Sequence, residues 1–180
     1  LAKSPRGIVY PIISHGDKEG WKRMNAIAPF FFPFMGTEGA ELSKEKPAES
    51  STYPYPVLMT YADRDNDLVY NMTRAMIETY DGYKANAPGN SGWDAKRQNF
   101  AWVIPYHDGA IKYWKEAGLW KPEHQAHNDK LIERQNVLAK AWAEVSKGSH
   151  ADDGAFKEAW AKTRAEALTK AGFDPVLTSW

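Results

Sequence analysis

His107 and Asp108 are the most suggestive polar pair in the chain. An imidazole beside a carboxylate has the makings of a general base. Such a base needs a nucleophile, and the sequence holds no Gly-x-Ser-x-Gly elbow or other nucleophile motif. The pair reads more simply as a helix start, with Asp108 capping and His107 satisfying the turn. His124 and His127, three apart after Glu123, can share one helix face, as half of a metal site would. No second pair of ligands accompanies them. Asp63, Asp65 and Asp67 alternate as in a calcium loop but lack its central glycine and distal glutamate, so they read as helix-capping residues. The glycine loops Gly36-Thr37-Glu38-Gly39 and Pro88-Gly89-Asn90-Ser91-Gly92 have neither Walker nor dinucleotide spacing. The expectation is a protein that is not an enzyme, with no catalytic residue, cofactor or metal.

The aromatic residues remain: 8 Trp, 9 Tyr and 7 Phe. Trp21, Tyr80, Trp142 and Trp160 fall on helical apolar stripes and read as packing. Tyr53, Tyr55 and Trp93 lie in irregular segments, where binding residues concentrate.

Composition bounds the partners. The 180 residues suit one domain or two small lobes. Lys plus Arg equals Asp plus Glu, 23 against 23, so no general attraction to nucleic acid is expected. The longest apolar stretch, residues 26–35, is half a membrane span and holds two prolines. The absence of cysteine excludes disulfides, thiolate chemistry and Cys-type metal sites. Residues 1–6 lack the apolar core of a signal peptide and begin without Met, which suggests a processed or truncated chain.

The elements that must position these residues follow from periodicity. Residues 7–14, short, apolar and β-branched, read as a buried strand that Pro11 pushes towards an edge or an end, and residues 57–61 read as a second strand. Residues 17–28 read as a short helix, and 29–56, broken by five prolines, as irregular. A helix follows over 65–80, with Leu68, Met72 and Met76 spaced by four. Residues 94–103 give no clear pattern, and 109–117 form a helix that Gly118 ends. Leu131, Gln135, Leu138, Trp142 and Val145 mark a helix over 122–145. Phe156, Trp160, Thr163, Ala167 and Ala171 mark another, capped by Asp152 and ended by Gly172. The two make a helical hairpin.

Three segments carry a family resemblance. One is Pro56-Val57-Leu58-Met59-Thr60 with the helix from Asp67-Leu68-Val69-Tyr70 to Met76. Another is Ile104-Pro105-Tyr106-His107-Asp108-Gly109-Ala110, continuing to Glu116-Ala117-Gly118. The third is the opening Gly7–Ile13 run followed by Trp21 to Pro29. In this order they resemble the C-terminal half of the TAXI family, the solute-binding proteins of TRAP transporters, over roughly residues 7–118.

The resemblance implies an α/β chain that is part of a two-lobed, periplasmic-binding-protein-like fold, with the C-terminal α-helical hairpin as an extension. Residues 1–55 would be a partial second-lobe segment and crossing, 56–118 a first-lobe segment, and 119–180 the hairpin. It also implies a periplasmic protein that captures a small, anionic organic solute and hands it to TRAP permease subunits. A second chain would supply the missing N-terminal half, since family members are longer. Tyr53 and Tyr55, at the crossing between lobes, are the expected ligand-binding residues, because ligands in open α/β sheets bind at the carboxyl ends of strands. His107 is carried over as a motif residue only. The alternative is a non-catalytic interaction or assembly subunit of a larger complex, docking through the hairpin's apolar faces.

Overall fold

The computed structural model describes residues 5, 7–54, 57–87 and 89–176. The chain divides into two compact units, Leu1–Tyr53 and Pro54–Trp180.

In the first unit, helix α1 spans Lys18–Ile27. Asp17 caps it by accepting from Gly20 N at 2.8 Å, and Glu19 adds an acid to the positive first turn. Trp21 is the buried residue of α1, and its indole N–H donates to Ser14 O at 3.0 Å. Strands β1, Phe32–Gly36, and β2, Ala48–Thr52, pair antiparallel from Phe32 opposite Thr52 to Gly36 opposite Ala48. They arise inside the stretch read as irregular. Pro33 is tolerated because each strand of a two-stranded sheet has a free edge. The polar run Ala48-Glu49-Ser50-Ser51-Thr52 carries no apolar alternation to announce a strand.

Residues 7–14 are not a strand, contrary to expectation. One bond, Ile13 N to Glu49 O at 3.1 Å, reaches towards β2, and Val9 and Ile12 stand exposed. Pro11 removes one of the donors that a ladder would need.

In the second unit the expected strand over 57–61 is likewise absent. Leu58, Met59 and Tyr61 are exposed, and no strand pairs with the segment among the described residues. An apolar run becomes a strand only when a neighbour supplies the ladder. The expected α/β architecture is thus met in part: helices and strands are mixed, but the described sheet is one antiparallel hairpin.

The helices follow the sequence closely. Helix α2 spans Asn66–Glu78 and α3 is the single turn Tyr80–Tyr83. Of two 3-10 turns, Asn90–Trp93 falls at the glycine loop and Ala95–Arg97 in the segment without a clear pattern. Helix α4, Asp108–Glu116, packs on α2. Its residues Ile111, Tyr113 and Trp114 form the core with Trp120, and Val69, Ile77, Phe100 and Tyr106 pack around them. Gly118, at φ +70°, lets Leu119 N bond Trp114 O and Gly118 N bond Lys115 O, which closes α4. Helices α5, Pro122–Val145, and α6, Asp153–Lys170, form the expected hairpin. Ala141, Val145 and Leu168 are buried there, and Trp142 meets Phe156 and Trp160 edge-on.

Candidate functional site

His107 is where the turns before α2 and α4 meet. It sits in extended conformation as the N-cap of α4, and its Nδ1 accepts from Gly109 N at 3.1 Å. On its other side Nε2 lies 3.1 Å from Arg64 O. A carbonyl only accepts, so Nε2 carries the proton and the bonds select the neutral Nε2–H tautomer. Sequence reasoning gave the cap to Asp108. The structure gives it to His107, and Asp108 is the exposed acid of the first turn.

Gly109 explains the next motif position. A Cβ there would be driven into Asn66 O, with Tyr70 N 3.0 Å away. Only a residue without a side chain lets the start of α4 approach the backbone of α2 this closely. The Asp63–Asp67 run acts at the start of α2. Asp65 caps it by accepting from Leu68 N at 2.9 Å, and Asp67 lies in the first turn. Arg64, between Asp63 and Asp65, places its guanidinium 5.8 Å from the Tyr61 ring centre.

Along α4 runs a groove of about 490 Å³ lined by Asp108, Ile111, Lys112, Lys115, Glu116 and Gln125. Lys112 reaches over the Tyr70 ring at 4.6 Å and lies 4.0 Å from Asp67. The Tyr70 hydroxyl donates to Glu116 at 2.6 Å, and that bond to a carboxylate raises the phenol's pKa. The groove offers ammonium donors and carboxylate acceptors.

Beside the clasp that His107 and Gly109 form between the starts of α2 and α4, the Tyr106 backbone N–H donates to Asn128 Oδ1 at 2.7 Å and its hydroxyl to Asn99 O at 3.2 Å. Burial pushes the Tyr106 phenol up to about 12. His127 donates from Nε2 to Trp102 O at 2.6 Å. His124 accepts at Nδ1 from Lys121 N at 3.1 Å, and its ring packs on Phe100 and Trp120. The two histidines are thus engaged with different partners, and no group of three or more metal-ligating side chains occurs among the described residues.

Of the two expected solute contacts, Tyr55 lies outside the described residues. Tyr53, in the first unit, is half-exposed, and its ring meets Phe31 at 5.8 Å and Phe30 at 6.4 Å, both edge-on. A smaller cavity of about 240 Å³, lined among others by Ile13, Asp17, Trp21 and Met24, also belongs to that unit. Nearby, His15 Nε2 lies 2.9 Å from Ser50 O and 3.1 Å from Phe34 N, and a single ring nitrogen bonds one of the two, by donating to the carbonyl or by accepting from the amide.

Asn128 escaped the sequence reading. It lies three residues before Leu131, so it continues the apolar stripe of α5 with a polar side chain, and that mismatch was the available signal.

No helix among the described residues is long and apolar enough to cross a membrane. No curated protein and no solved structure matches the chain. Residues 12–118, more than half of the sequence, match the NMT1-like family. That span holds α1 to α4 and the whole His107–Gly109 clasp, and so the chain belongs to the NMT1-like family, a periplasmic-binding-protein-like family related to the solute-binding proteins.

Proposed function

We propose that the chain is the solute-capturing component of a TRAP-type transporter, similar to the TAXI proteins, and that it works in the periplasm on a small anionic organic solute. Membership of a binding-protein family over residues 12–118 is the observation that carries this reading. Family members are generally not enzymes. Tyr53 contributes a half-exposed aromatic face backed by Phe30 and Phe31, and with Tyr55 it is assigned to the solute. In this reading the fold is two-lobed, residues 1–55 and 56–118 belong to different lobes, and the permease subunits receive the solute.

The test is calorimetric titration of the purified chain with a panel of small mono- and dicarboxylates. The expected result is saturable binding of at least one, weakened about tenfold or more in Tyr53→Ala, as loss of a stacking face does. Silence across the panel, or unchanged affinity in the variant, would remove the solute or the tyrosine from the proposal.

A second reading rests on residues 8–13 and 57–61. Val9, Ile12, Leu58, Met59 and Tyr61 are apolar, exposed and outside any ladder. Such runs suit a partner polypeptide that completes the sheet, whether it is the other half of the receptor or another subunit of an assembly. Light scattering on natively purified material separates the cases: a second chain in fixed ratio supports a shared sheet, and a lone monomer supports none.

A further inference from the structure

Helix α5 lies outside the residues that match the family, yet it holds the turn that carries the clasp. Asn128 is 2% exposed, a buried amide on the apolar stripe of α5. Burying an amide there costs more than burying an aliphatic residue unless its bond has a use. That bond runs from Tyr106 N to Asn128 Oδ1 at 2.7 Å. The next residue is His107, which caps α4 through Nδ1 and holds Arg64 O through Nε2. Arg64 in turn closes the turn before α2, with its N–H on Tyr61 O at 3.2 Å. His127, beside Asn128, adds a parallel tether to Trp102 O. Hydrogen bonds and one peptide unit therefore link α5 to the 61–65 turn without a break.

We infer that Asn128 is a positioning residue: through Tyr106 and His107 it sets the 61–65 turn, so that the C-terminal hairpin governs a loop of the family module. The bearing on solute capture rests on the reading above, in which residues 56–118 form one lobe of the binding protein. The coupling itself does not depend on it.

The experiment is amide exchange on the full chain, read by NMR at Arg64, Leu68 and Ile111. In Asn128→Ala, exchange at all three speeds by about fivefold, the factor that one lost hydrogen bond gives, while α6 amides keep their rate. Asn128→Asp keeps the acceptor oxygen and returns the rates towards the original. His107→Asn keeps a side-chain cap for α4 but is too short for Arg64 O, so Arg64 speeds while Ile111 does not. The inference is overturned if Asn128→Ala speeds Ile111 and leaves Arg64 unchanged, or speeds α6 equally. Should Asn128→Ala fail to fold, an unchanged Arg64 rate in His107→Asn overturns it alone. Solute binding enters none of these outcomes, so the solute reading can fail without touching this one.

Discussion

Tyr106 ties its phenol to the interior, and the sign of its effect on stability follows. Its pKa is raised by burial from the ordinary 10 to about 12, so the folded state prefers the neutral phenol. The stabilisation is complete below pH 10 and is lost as pH rises through 12. A shift of that size corresponds to about 2–3 kcal/mol. Alkaline urea titrations should show the loss between pH 10 and 12, and Tyr106→Phe should remove most of that slope. The same variant gives up the bond to Asn99 O, at about 1 kcal/mol near neutral pH. Histidines at this scale are structural: His15, His107, His124 and His127 each engage a backbone group. The sequence made His107, His124 and His127 visible as candidates for chemistry, but a backbone group as partner leaves no trace in residue types.

At the scale of elements, α2 and α4 meet at a close joint of the family module, where Gly109 lies against the α2 backbone. Gly109→Ala should destabilise the protein by about 2–3 kcal/mol, because the new methyl has backbone on its far side and nothing to displace. Chemical denaturation would read this directly, and a neutral outcome would mean that the two helices can part. Helices were legible because their signals are local. Asp65 and Asp152 cap as expected, and Gly118 and Gly172 end their helices as expected. Strands were not legible, for two opposite reasons. Val57-Leu58-Met59-Thr60-Tyr61 has strand composition and lacks a partner, whereas Ala48-Glu49-Ser50-Ser51-Thr52 lacks the composition and has β1 opposite it. Pairing is a property of two segments, and a single segment shows half of it. For the same reason the clasp was visible only as the neighbours His107 and Gly109, while Arg64, Asn66 and Asn128 had to be brought to them by folding.

At the scale of the whole molecule, unpaired apolar chain is the dominant feature. Val9 is 89% exposed and Met59 66%. Val9→Lys and Met59→Lys should therefore leave the melting of the isolated chain within about 0.5 kcal/mol of the original. If a partner chain completes the sheet, the same substitutions should abolish its retention in size-exclusion chromatography. A large loss of stability in the isolated chain would instead mean that these residues pack at home. Zero net charge offers no repulsion to keep such surfaces apart, so self-association at high concentration belongs to the same expectation.

The division of the chain at Tyr53 has a spectroscopic consequence. Of the 8 tryptophans, Trp21 alone belongs to the first unit. A melt followed by indole emission therefore reports almost wholly on Pro54–Trp180, while Leu1–Tyr53 unfolds nearly in the dark. A Trp21→Phe variant, read at the same wavelength, would make that blindness complete. Subtracting its trace from the parent's isolates the light of a single indole. If the difference curve and the parent curve cross their midpoints at different temperatures, the two units let go of their structure separately, and a single Tm does not describe this protein.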